Sequence, residues 1–230
     1  MQVRSLHRRT IHEGGATGTI SSAKLAGTSL ILGPVITVIC YFIQQSAISL
    51  SADEWGNAAA AAEKLRSASV LSNVTSLIIP LALTMFVYGI FFILNEIRGN
   101  GEALVGFAKI PILIGLAGWV YGSGVGITVT NWPGGDTNMF TLWGLGQISS
   151  VMFAIGATAG FLAIASRNDY NSTLAYGAAV VGLVGIITSI VGILTSDGSV
   201  AANMTLIVGI TYIIHTLYSV YLGRGLLSRS

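Results

Sequence analysis

His215 is the only histidine within a long uncharged stretch of this chain, and Thr211 and Ser219 stand four residues before and after it. On a helix these three side chains share one face, with Tyr212 and Tyr218 beside them. A stripe of this kind has the groups to pass a proton, or to hold one metal or one polar ligand. It describes equally a neutral histidine hydrogen-bonded between two helices. That structural reading is favoured, because polar side chains in apolar helices commonly link one helix to the next. Gln147, Ser149 and Ser150 are the nearest candidates in the sequence for its partners.

Other reactive constellations are missing. Cys40 is the sole cysteine, which excludes an intramolecular disulfide or a thiolate cluster and leaves it as a buried hydrophobe. His7 and His12 lie near the start of the chain with no HxxxH spacing and no carboxylate cluster beside them. The chain holds no phosphate-binding loop, no GxSxG elbow, no dinucleotide fingerprint and no pair of carboxylates within an apolar stretch. No catalytic residue, metal or cofactor is expected, and catalysis by this chain alone is not expected.

What must position the His215 stripe follows from charge. Lys, Arg, Asp and Glu make up 9% of 230 residues, against 53% hydrophobic residues; soluble domains carry charge on about a quarter of their positions. No charge occurs between Lys24 and Asp53, Arg66 and Glu96, Lys109 and Asp136, Asp136 and Arg167, Asp169 and Asp197, or Asp197 and Arg224. Each window exceeds the roughly 20 apolar residues that a helix needs to cross the hydrocarbon core. The expected fold is all-α, a polytopic bundle of six transmembrane helices near residues 25–45, 71–97, 104–127, 141–165, 173–195 and 204–223. Residues 1–24 form a basic N-terminal tail and 224–230 a C-terminal tail around one domain, 25–223. A soluble enzyme, a nucleic-acid binder and a disordered tail are excluded.

Basic residues orient the bundle. With the N-terminus cytoplasmic, the inner segments hold Arg4, Arg8, Arg9, Lys24, Arg98, Lys109, Arg167, Arg224 and Arg229, while the outer segments hold only Lys64 and Arg66. Both termini are therefore expected in the cytoplasm, and the setting expected is a prokaryotic plasma membrane. The first 24 residues are not expected to be a secretory signal, because Gly14-Gly15 and a polar stretch separate most of the basic residues from the apolar run. Arg4, Arg8 and Arg9 suit anionic lipid headgroups, and no nucleic-acid partner is expected.

Between the first two spans, Ser51-Ala52-Asp53-Glu54 has capping-box spacing and Ala58–Ala62 favours helix, so a short outer-surface helix is expected there. Trp132 and Trp143 at one boundary, and Tyr170, Tyr176 and Tyr221 at the other, are expected to anchor the headgroup level. Asp136 is expected to be a solvated loop residue, and the triplets beginning at Asn73 and Asn203 are expected to be coincidental sequons.

The chain has 29 glycines, most of them within the spans. Gly118, Gly122 and Gly126, and Gly156 and Gly160, recur at GxxxG spacing and are the expected helix-packing positions, in a tight centre made of spans three to five. Pro34 and Pro80 are expected to kink their helices near mid-membrane. Scarce chemistry beside abundant packing glycine points first to a non-catalytic accessory or scaffolding subunit, whose partners are lipid and other membrane subunits or further copies of itself. The alternative is a small channel or transporter for a neutral or weakly polar solute, with Pro34, Pro80 and His215 on its path.

Overall fold

A computed structural model describes residues 20–48, 50, 51, 54, 55 and 57–229. Arg4, Arg8, Arg9, His7, His12 and Asp53 lie outside the described residues. In hydrocarbon every backbone N–H and C=O must be satisfied within the protein, which makes the helix the natural state of each charge-free window. The helices are α1 (Ser22–Ile48), α2 (Ala58–Ser67), α3 (Ser69–Asn95), α4 (Glu102–Asn131), α5 (Met139–Ala165), α6 (Ser172–Leu194) and α7 (Gly198–Leu227). All but α2 are long and apolar enough to cross a membrane. The chain is a multi-pass, six-span helical bundle, with no strand among the described residues.

Local chemistry sets the helix ends. Asn171 Oδ1 accepts from the Leu174 amide at 3.1 Å, and Asp197 Oδ1 accepts from the Ser199 and Val200 amides at 2.8 and 3.3 Å. The aspartate cap starts α7 at Gly198 rather than near residue 204. The outer helix also differs from expectation. Glu54 does accept from the Ser51 amide and hydroxyl, at 2.7 and 2.8 Å, but this reciprocal pair closes a turn rather than opening the helix. Helix α2 begins at Ala58, where Asn57 Oδ1 takes the Ala60 amide at 3.1 Å. Ion pairs then hold α2 and its approach: Lys64 to Glu54 at 2.6 Å, and Arg66 to Asp136 at 3.6 Å. Asp136 is thus an anchor for α2 rather than a merely solvated loop residue. Asn73 lies within α3 and bonds Thr130 and Asn131 of α4 at 2.6 and 3.2 Å.

Each span packs against its neighbours in the chain, and α7 returns to α1, so the six spans close a ring. Helix α2 lies across one end of that ring, against α1, α3, α4 and α5. The described ends of α1 and α7 meet at the other end, called here the terminal face. Leu81, Ile110, Leu194 and Leu217, each more than 60% exposed, cover the ring's exterior with apolar surface suited to lipid.

Three seams draw backbones together. A Cβ on Gly33 would lie 2.6 Å from the Ala82 carbonyl oxygen, and one on Gly89 would lie 2.8 Å from that of Ala26, so α1 and α3 interlock reciprocally. Gly115 faces the Ser149 carbonyl at 2.8 Å and Gly156 faces that of Ala108 at 2.7 Å, which joins α4 to α5 in the same way. Gly27 and Gly223 touch each other's backbones and close α7 onto α1. Of the five expected packing glycines, Gly156 sits on such a seam and Gly118 is pressed against the Ser149 side chain. Gly160 makes ordinary contacts, while Gly122 and Gly126 meet nothing nearer than 3.8 Å. The tight contacts extend beyond spans three to five, because spacing selects a helix face but the partner's approach decides how close it is. Helices α1 and α3 continue through Pro34 and Pro80, and α4 through Pro111.

Gly33→Ala and Gly156→Ala are each expected to destabilise the fold by about 1–3 kcal/mol, since the added methyl meets backbone that cannot rotate away. Gly106→Ala, whose Cβ would meet nothing within 4 Å, is expected to leave stability unchanged or slightly raised. Thermal unfolding of the purified variants in one detergent compares all three.

Candidate functional site: a central cavity

A ring in which each helix packs mainly on its two neighbours leaves space on its axis. The cavity there has a volume of about 390 Å³ and is lined by all six spans and by α2, within the range of pockets that enclose small molecules. At the α2 end, Trp55 stacks on Trp143 with ring centres 6.1 Å apart, and both line the cavity. Trp143 therefore borders the cavity, whereas Trp132 is 66% exposed. Gln44, Gln45 and Gln147 follow from opposite walls.

Deeper, five rings from five spans form a connected aromatic wall. Tyr41 meets Tyr212 edge to face at 5.6 Å, and Tyr212 meets Trp119 edge to face at 6.3 Å. Trp119 then packs on Phe153 at 4.9 Å, and Phe153 on Phe86 at 5.8 Å. Ser150 donates to the Gly146 carbonyl at 2.9 Å, so its 3.0 Å bond to Tyr212 must carry the phenolic proton. That bond fixes the Tyr212 ring across the axis. Among the described residues, no Asp, Glu, Lys or Arg lines the cavity.

His215 stands beyond this wall. Its Nε2 lies 3.0 Å from the Ala178 carbonyl oxygen of α6. A carbonyl oxygen only accepts, so Nε2 donates and Nδ1 remains an acceptor. Thr211 donates to the Val208 carbonyl and Ser219 to the His215 carbonyl, both on their own helix, at 2.7 and 2.8 Å. The stripe is thus one interhelical link and two hydroxyls turned onto their own backbone, all three still bordering the cavity. Gln147 is not a partner of His215: it sits opposite Gly192, nearer the α2 end, while His215 lies at the level of Phe161. Pro34, Gly122 and Gly126 also line the cavity, and the two glycines make ordinary contacts with Leu142 there.

The lining ends toward the terminal face at Phe161, His215 and Ser219. Phe161 is 1% exposed and meets Tyr218 edge to face at 5.2 Å; Tyr218 stacks on Tyr221 at 5.9 Å. Beneath them, the guanidinium groups of Arg167 and Arg229 lie over the Tyr170 ring, 5.3 and 4.8 Å from its centre. Asp169 binds both arginines, with Arg229 at 2.8 Å, and Arg167 also reaches Glu96 at 3.5 Å. Tyr170, expected as a headgroup anchor, is buried because this network encloses it. The phenolic oxygens of Tyr170 and Tyr218 are buried without a hydrogen-bond partner among the described residues, which costs about 1–3 kcal/mol for each. The Arg167 hydrogen bond, with Arg229 adding to it, holds the Asp169 carboxyl down to about 2.

Sequence reasoning missed most of the cavity wall. One signal was available: Trp119, Tyr41 and Tyr212 fall well inside their spans, away from the boundaries that such residues favour. Comparison with protein-family models, with curated protein sequences and with solved structures gives no match.

Because the Asp169 carboxyl sits below its ordinary value of 3.8, its contribution to folding is complete above about pH 4 and is lost as pH falls toward 2. Asp169→Asn is expected to lower stability by no more than about 1 kcal/mol at neutral pH, since the network is partly exposed. Melting curves should show a constant gap between the two proteins from neutral pH to about pH 5, narrowing below it as the wild-type carboxyl is protonated.

Proposed function

We propose that this protein is a transporter or channel for a small uncharged polar solute, which enters the central cavity from the α2 side. The observation that carries this reading is the wall of the cavity: uncharged polar and aromatic groups from all six spans, set among aliphatic ones, bordered by Trp55, Trp143 and α2 at one end and by Phe161 and His215 at the other. Polar side chains turned away from lipid onto a shared axis are what a solute path requires. A purely scaffolding protein needs no such axis, because packing improves when the centre is filled. The apolar exterior is what a bilayer alone requires, so it calls for no additional subunit. The buried phenols of Tyr170 and Tyr218 fit a closure that opens in the transport cycle, since exposure to water at the terminal face would satisfy both.

The nine-to-two distribution of basic residues supports an orientation with the α2 face outside and the terminal face in the cytoplasm. In a Cys40→Ala background, Ser67→Cys on α2 is expected to react with a membrane-impermeant maleimide on intact cells. Ser228→Cys is expected to react only after permeabilisation. The opposite labelling pattern would reverse the direction proposed here.

Transport itself is tested by solute-driven swelling of proteoliposomes across neutral compounds that include polyols, sugars, urea and aromatic amides. Entry faster than in protein-free vesicles is expected for at least one of them. Gly122→Phe should abolish that entry while the protein remains folded, because Gly122 borders the cavity with no neighbour within 3.8 Å of a built Cβ. Equal entry with and without protein for every solute would overturn the transport reading.

A further inference from the structure

The cavity wall also specifies the kind of molecule it admits, an inference that rests on the transport reading for its biological sense but not for its test. Three features of the wall select among solutes.

The first is charge. Among the described residues, the lining carries no carboxylate, ammonium or guanidinium group. An ion entering this space would lose its hydration with no counter-charge to replace it. Anions, cations and zwitterions are therefore disfavoured.

The second is shape. Tyr41, Tyr212, Trp119, Phe153 and Phe86 form one continuous aromatic surface across the axis. Such rings present flat faces and polarised edges, which pair best with another ring by offset stacking or edge contact. A compact polyol covers this surface poorly.

The third is the pattern of hydrogen-bonding groups that the protein leaves open. Thr37, Ser150, Thr188, Thr205 and Thr211 donate to carbonyls of their own helices. By contrast, six lining side chains make no hydrogen bond to the described residues: the hydroxyls of Ser72, Ser123, Ser189 and Thr216, and the carboxamides of Gln45, which is exposed, and Gln147; the two carboxamides border the cavity near the α2 end of the aromatic wall. At the far side of that wall, His215 keeps Nδ1 as an acceptor, because its Nε2 is committed to Ala178. A carboxamide offers a donor and an acceptor side by side, and the group that matches both at once is another amide or a ring lactam.

We propose that the cavity binds an uncharged planar molecule: an aromatic or heteroaromatic ring that carries amide-type N–H and C=O groups. Its ring lies against the Tyr212–Trp119 surface, and its polar edge pairs with the carboxamides of Gln45 and Gln147.

An isosteric series separates the three features. Benzamide, benzoate and benzamidinium share size and planarity and differ in charge. Cyclohexanecarboxamide keeps the amide and loses the flat ring, and toluene keeps the ring and loses the amide. Calorimetric titration of the full chain in nanodiscs is expected to show saturable binding of benzamide, and of uracil as a neutral lactam. Benzoate, benzamidinium, cyclohexanecarboxamide and toluene should each bind at least tenfold more weakly than benzamide. The double variant Gln45→Leu/Gln147→Leu should weaken benzamide at least tenfold and leave toluene unchanged, which also shows that the variant remains folded. Equal or tighter binding of benzamidinium would identify a cation cage and overturn the proposal. Equal binding of cyclohexanecarboxamide or of toluene would overturn it too, as would no saturable binding of benzamide or uracil at millimolar concentration. Benzamide binding without flux of any solute would remove the transport reading and leave this one standing. Flux of a sugar without benzamide binding would do the reverse.

Discussion

Close approach of helix backbones is the constraint on which everything else in this protein depends. Hydrocarbon gives helices no hydrophobic reason to associate, so contact must come from dispersion between surfaces that fit and from hydrogen bonds between helices. At the α1–α3, α4–α5 and α1–α7 seams the fit is made by Gly33 and Gly89, Gly115 and Gly156, and Gly27 and Gly223. Two of these seams involve α1, which holds α3 on one side and α7 on the other. The seam to α7 is what turns a row of six helices into a ring.

A closed ring has an inside, and here the inside differs in kind from the outside. The exterior presents leucine, isoleucine and valine, as a bilayer demands. The axis collects the tyrosines, tryptophans, glutamines and hydroxyls that lipid would penalise. Hydroxyls at most of these positions fold back onto the preceding turn of their own helix, so the wall remains polar without forcing helices apart. The groups not satisfied in this way, among them Ser72, Ser123, Ser189, Thr216, Gln45 and Gln147, become the chemically expressive part of the cavity. The two ends of the axis are built differently as well. Indole rings and the ion-paired α2 border one end, while an aromatic plug rests on the Arg167–Asp169–Arg229 network at the other. That asymmetry gives the molecule a direction, and the unsatisfied phenols of Tyr170 and Tyr218 mark where the closed end is least comfortable.

His215 shows how a residue can be read correctly in type and still be misplaced in role. Its solitude among apolar residues made it the obvious chemical candidate, and the favoured expectation of an interhelical link agrees with its bond to Ala178. The partner is a backbone carbonyl, however, and no sequence pattern marks one carbonyl among many. Gln147 seemed a natural partner by residue type, yet it belongs to a different depth of the same cavity. Gly122 and Gly126 have the spacing of packing residues and make ordinary contacts with α5 while bordering the cavity. Trp143 has the position of a headgroup anchor and borders the cavity, stacked on Trp55.

The sequence by itself determined the number of spans, their limits to within a few residues, and the all-helical class. Those properties depend on local quantities: the length of a charge-free run, the capping residue at its end, and the demand that hydrocarbon makes on every backbone amide. The preferred direction of the bundle, argued from its basic residues, has the same local origin. The order of helices around the ring, the existence of a cavity and the identity of its wall were decided by tertiary structure alone. The physical reason is that a membrane helix is apolar on nearly every face. The amphipathic stripe that reveals the buried side of a soluble helix is absent, and only contact between helices shows which face turned inward.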